Sequence, residues 1–164
     1  MEKILKEKTE NSTSSKEVVH TMLIYVYVIF FLSIVLGVLF DLIFKLNLLA
    51  DFEYSHFGFI LIIFGTLLIF LAQQASSRAS KISKEEESVE GFMYGPYKHF
   101  RHPTYLGVFF MVLGFGIAIK SIFSILFIMI TYLIVKLTFV RREENILEKK
   151  YGKIYLDYKN RVRM

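Results

Sequence analysis

Cysteine and tryptophan are absent from this chain, and proline occurs only twice, at positions 96 and 103. Without cysteine there is no disulfide, no thiolate zinc site and no cysteine nucleophile. No glycine-rich dinucleotide fingerprint or P-loop occurs, and no Gly-x-Ser-x-Gly elbow announces a hydrolase. Residues 1–17 are polar and lack the basic start, short apolar core and small-residue cleavage site of a signal peptide.

What is abundant is apolar surface. The 164 residues are 54% hydrophobic with 17 Phe, and the mean hydropathy is +0.47. That is too apolar for a soluble domain, so the reading is an all-α, polytopic membrane protein. The net charge of +5 does not point to nucleic acid, because the basic residues flank apolar runs and form no aromatic-interleaved patch. The lipid bilayer is the implied partner.

Residues 1–20 are expected to form a polar arm, disordered or lying on a surface, and residues 21–164 a single membrane domain. Ser14-x-x-Glu17 has the pattern of a capping box that opens the first helix. Apolar runs predict four spans, at about 23–44, 57–72, 104–119 and 122–140. The second is short, which places Tyr54, Gln73 or Gln74 at an interface. Gly58 and Gly65 share a face of it and suit close helix packing. The acidic run through Glu85, Glu86, Glu87 and Glu90 reads as a solvated surface.

Only Lys120-Ser121 separates the last two spans, so they form an antiparallel hairpin. Four spans put the N-terminus, the 73–103 connection and the tail on one side. Seventeen of the 20 Lys and Arg lie there, against Lys45 and Lys120 on the other. By the positive-inside rule both termini and any site near His102 face the cytoplasm. Lys136, inside the fourth span, is near enough to its end to snorkel. The tail, 141–164, reads as a basic amphipathic helix on the cytoplasmic surface, broken at Gly152.

Both prolines fall in Gly95-Pro96-Tyr97-Lys98-His99-Phe100-Arg101-His102-Pro103-Thr104-Tyr105-Leu106-Gly107. Gly95-Pro96 predicts a turn, and Pro103 the first position of a helix with His102 as its cap. A helix N-terminus at the membrane edge favours an anionic ligand group. The hairpin returns Glu143-Glu144 to this motif, which suits a ligand carrying both cationic and anionic groups. His99-x-x-His102 makes no metal site, since Pro103 interrupts any helix through both rings and no third ligand is suitably spaced.

The motif at 95–107, followed by a hairpin and by Arg142-Glu143-Glu144-x-x-Leu147-x-x-x-Tyr151-Gly152-x-x-Tyr155-x-x-Tyr158, resembles the isoprenylcysteine carboxyl methyltransferase family. It is similar also to the wider phospholipid methyltransferase superfamily. The resemblance covers about residues 89–162. It implies methyl transfer from S-adenosyl-L-methionine to a lipid-like or apolar acceptor. By position it implies cofactor contacts at Tyr97, His102, Pro103, Thr104 and Tyr105, and an acidic pair near the acceptor, Glu143 and Glu144, as the catalytic candidates. An arginine found four residues before that pair in animal isoprenylcysteine enzymes is Phe139 here, which weakens the match to a carboxylate acceptor. The alternatives are an NADPH-dependent membrane reductase of the sterol reductase type, which has a similar His-Pro-x-Tyr segment, and a non-catalytic adaptor whose basic tail binds anionic lipid.

Overall fold

The computed structural model describes residues 2–44, 55–82 and 93–162. Tyr54, with the connection around it, and the acidic run through Glu90 lie outside the described residues. Among those described the chain is helical throughout: α1 (Glu2–Phe44), α2 (Ser55–Ile82), a short 3₁₀ turn (Gly95–Lys98), α3 (Pro103–Ala118), α4 (Ile122–Val135), a π-helical turn (Lys136–Val140), α5 (Arg141–Tyr151) and α6 (Lys153–Arg161).

Among the described residues three stretches are long and apolar enough to cross a membrane: Thr21–Phe44, His56–Ser77 and Ile122–Tyr151. In the last of these the apolar part ends at Val140, and Arg141 begins a polar helix. The 16 residues of α3 are apolar but shorter, about 24 Å long at 1.5 Å per residue.

The polar arm is the start of α1, which runs unbroken from Glu2. Ser14 and Glu17 therefore lie within a helix, not at its beginning. No proline or glycine precedes Gly37, and the Lys, Glu and Leu of the arm are strong helix formers, so nothing local stops propagation from the apolar segment.

Helix α2 packs along α3, and α1 packs along α4. The first two helices thus flank the C-terminal hairpin. Glycine makes both contacts close. A Cβ on Gly58 would lie 2.6 Å from the Gly114 carbonyl oxygen, and one on Gly65 2.5 Å from that of Gly107. Gly37 of α1 sits against the backbone of Ser124 of α4. Side chains on both sides of the hairpin then interlock in one core of Val26, Phe30, Val108, Val112, Ile128 and Val135. The outward faces remain apolar, for example Leu42, Ile43, Ile63 and Leu133. Hydrocarbon solvates such surfaces and water does not.

The α3–α4 turn is closed by backbone bonds from Lys120 N–H to Ile117 and from Ser121 N–H to Gly116. This pattern places Lys120 in the left-handed region, φ +58°. Ser121 caps α4 through the Ser124 N–H at 3.1 Å, and its hydroxyl also donates to Asp41 of α1. At the opposite end the tail breaks at Gly152, φ +55°. One face of its last helix packs on protein. Tyr155, Tyr158 and Val162 are buried together, with Met93, Leu147 and Tyr151 packed against them. Protein contact competes better for these rings because the 93–98 segment already stands beside the end of the hairpin.

Candidate functional site

The site is assembled where three chain segments meet. The end of α2 supplies a wall: Ala72 and Ala75 are buried, and Ala75 lies against Gly95, whose φ of +57° starts the turn. Pro96 follows and fixes the turn, which closes with His99 and Phe100 N–H groups donating to the Pro96 carbonyl. Pro103 then opens α3 at its first turn, fully buried, with His102 in the cap position. The His102 side chain makes no capping bond.

Instead the imidazole turns toward the acids on α5. Nδ1 lies 3.4 Å from Glu143 Oε2, and Nε2 lies 3.4 Å from Glu144 Oε1. Burial alone would lower the pKa of His102, but the two carboxylates outweigh it and the net shift is upward. Glu144 is held further by Arg101 Nη1 at 2.8 Å and Lys159 Nζ at 2.9 Å. The bond from His102 is the main cause that keeps its pKa down, at about 2, with Lys159 and Arg101 acting against desolvation. Lys159 also reaches Glu148 at 2.7 Å, so α6 is tied to α5 across Gly152.

Tyr97 is the hub on the loop side. Its hydroxyl has its pKa raised by burial, against which hydrogen bonding to Thr104 and Ser76 acts. Its carbonyl accepts from the Tyr158 hydroxyl at 2.9 Å. Tyr105, one turn into α3, is 4% exposed, and its ring meets that of His102 edge-on at 5.9 Å. Among the described residues the Tyr105 hydroxyl, Arg101 Nε and Glu143 Oε2 are buried without a well-aligned hydrogen bond, although the Tyr105 hydroxyl lies within bonding reach of the Glu143 carboxylate.

Tyr97, His102, Thr104, Tyr105, Glu143 and Glu144 are therefore gathered in one place, with Pro103 beneath them as the helix start. His99 is exposed on the outside of the turn. Sequence reasoning gave no role to Arg101, Lys159 or Ser76. Arg101 stands in the motif and its charge beside His102 was a usable signal. Lys159 and Ser76 carried none, because each is brought in by a tertiary contact.

Such an arrangement can bind a ligand bearing opposite charges and an aromatic ring, and can hold a proton on imidazole between two acids. The family model described as phospholipid methyltransferase matches residues 54–154. No curated protein and no solved structure matches the chain.

Proposed function

The chain belongs to the phospholipid methyltransferase family, and we propose that it is an integral membrane enzyme that transfers the methyl group of S-adenosyl-L-methionine to a lipid-like or apolar acceptor. The observation that carries this reading is His102 held between Glu143 and Glu144 across the mouth of the α3–α4 hairpin. Residues 21–164 act as one unit with four crossings, α3 being the shortest, and the site faces the cytoplasm. The basic ends of the chain support that orientation.

The residues present fit the cofactor. When bound, it supplies an electrophilic methyl group on a sulfonium. The buried Glu143 carboxylate, with the Tyr105 hydroxyl beside it, suits its cationic parts, and the free Arg101 Nε suits its carboxylate. Tyr97 and Tyr105 offer aromatic faces. The packed tail, with Tyr155 and Tyr158 buried, excludes water from one side, and the apolar outer faces admit an acceptor from lipid. Positioning and exclusion of water are then the protein's main contributions to an in-line displacement. A carboxylate or thiol acceptor needs little base assistance, whereas an ammonium must first lose a proton to a nearby acid.

Equilibrium binding of labelled S-adenosyl-L-methionine to the purified protein in lipid nanodiscs tests the reading. Wild type binds and His102→Ala binds more weakly. Absence of binding by wild type overturns the proposal. Orientation is checked separately in this cysteine-free chain: Lys98→Cys reacts with an impermeant thiol reagent from the cytoplasmic side, and Lys120→Cys from the opposite side.

A further inference from the structure

The charges of the tail are sorted by side. Along α5 and α6 six charged residues are exposed, Arg141, Arg142, Lys149, Lys150, Lys153 and Arg161, and all six are basic. The four acids there, Glu143, Glu144, Glu148 and Asp157, are all partly covered. At about 100° per residue, Arg141, Arg142, Asn145, Lys149 and Lys150 fall on one half of α5, and Glu143, Glu144, Leu147, Glu148 and Tyr151 on the other. The covered half takes its cationic partners from other segments: Glu144 from Arg101, His102 and Lys159, and Glu148 from Lys159. Arg141, Arg142 and Lys149 are in no ion pair among the described residues. Lys150 lies over the ring of Tyr151, 5.3 Å from its centre.

The bilayer fixes the height of this face. Helix α4 passes through the π turn into α5 without a break, and the apolar run ends at Val140. Arg141 and Arg142 therefore stand at the depth of the lipid headgroups. Lys149 and Lys150 are about 12 Å farther along the helix, roughly a Debye length at physiological salt. Headgroups are thus the groups nearest to the exposed half, and those of negative charge complement it.

We propose that the exposed half of α5 is a docking surface for anionic phospholipid headgroups of the leaflet in which α4 ends. The guanidinium groups of Arg141 and Arg142 suit phosphate, to which they can offer paired donors. Lys149 and Lys150 add attraction to the surface charge, and each basic residue near such a surface is worth about fivefold in preference. The inference does not depend on the chemistry of the site. It assigns the two halves of one helix to lipid on the outside and to His102 and its neighbours on the inside.

Because the chain has no cysteine, Asn145→Cys places a single uncharged fluorophore in the middle of the exposed half. The labelled full chain is set in phosphatidylcholine nanodiscs that contain a small fraction of a quencher lipid, doxyl-labelled near the glycerol end of its acyl chain. The quencher carries either a phosphatidylglycerol or a phosphatidylcholine headgroup. Apparent association of the phosphatidylglycerol quencher should be at least about fivefold stronger, and about 0.5 M salt should remove most of that difference. Arg141→Gln, Arg142→Gln, Lys149→Gln and Lys150→Gln together should bring the ratio close to one with little change in melting temperature, since all four side chains are exposed. Should that variant not fold, Arg142→Gln with Lys149→Gln should lower the ratio partway. Lys120→Gln, at the other end of the bundle, should leave it unchanged.

Equal quenching by the two lipids when the basic residues are intact overturns the proposal. So does a ratio that survives their substitution, or one that Lys120→Gln abolishes, because the attraction would then reside elsewhere than on α5.

Discussion

The Tyr158 hydroxyl donates to the main-chain carbonyl of Tyr97 at 2.9 Å, and through that bond the last helix is fastened to the turn that precedes α3. The two residues are 61 positions apart. Tyr158→Phe keeps the buried ring and deletes the bond, so the expected loss is about 1 kcal/mol. Limited trypsin digestion at the basic residues of α6 should accelerate about fivefold, the equivalent of that energy in local opening. An unchanged rate would mean that ring packing alone retains the tail.

Stability should depend on pH in two opposed limbs. The pKa of His102 is raised, so its contribution is fully present below about 6.5 and is lost as pH rises through the raised value. The pKa of Glu144 is lowered from 4.5 to about 2, so its contribution is present above 4.5 and is lost as pH falls toward 2. Melting temperature measured across pH in nanodiscs should peak between these limbs. His102→Gln should flatten the alkaline limb.

Gly65 is one of the tightest points of the α2–α3 contact. An added Cβ would lie 2.5 Å from both the Gly107 carbonyl oxygen and the Met111 amide nitrogen, which are backbone atoms that cannot rotate away. Gly65→Ala should cost about 1–3 kcal/mol by forcing the helices apart. Ala75 and the Gly95 turn ride on α2, so ligand affinity should fall along with the melting temperature.

At the far end of the bundle Ser121 has two duties, as cap for Ser124 N–H and as donor to Asp41. Ser121→Ala removes both and leaves the second Asp41 oxygen as unmatched as Oδ1 already is. The expected cost is about 1–3 kcal/mol. Ligand binding should be unaffected, which separates this end of the bundle from the site. A thermal melt paired with a titration of the variant checks both halves.

The π turn at Lys136–Val140 sets the rotation of the acids. Buried positions of α4 run Ser124, Ile128, Thr131, Val135, and an unbroken α-helix would next turn Arg142 and Ile146 inward. The structure turns Phe139, Glu143 and Leu147 inward, one residue later. A turn closed by i to i+5 bonds absorbs that residue. Deleting Leu137, an exposed position in the π turn, should therefore restore a regular helix and preserve ligand binding. Inserting one alanine after Val140 should rotate the acids by about 100° and abolish it. Binding that survives the insertion would show that the acids are placed by something other than helix phase.

Much was written in the chain order. Length and apolar runs set the helices, because a bilayer demands satisfied backbone groups over a fixed thickness. The Lys120-Ser121 break alone returned Glu143 and Glu144 to His102, since two residues permit nothing but an antiparallel return. Gly58 and Gly65 announced close packing, and Gly152 the break in the tail. The helical start of α1 was not legible as such, because a polar arm joined to an apolar helix shows no change of period.

What only the tertiary structure decided is which partners each charged and aromatic group takes. The basic tail could have floated on lipid by its own pattern, but its tyrosines are buried against Met93 and Leu147. Glu143 and Glu144 are equivalent as letters, and become unequal when Arg101 and Lys159 arrive from other helices. The sequence settled the elements and their order, because hydrophobic run length and turn length are local properties. It left open the phase of the last helix and the charge around each acid, because these depend on contacts between residues far apart in the chain.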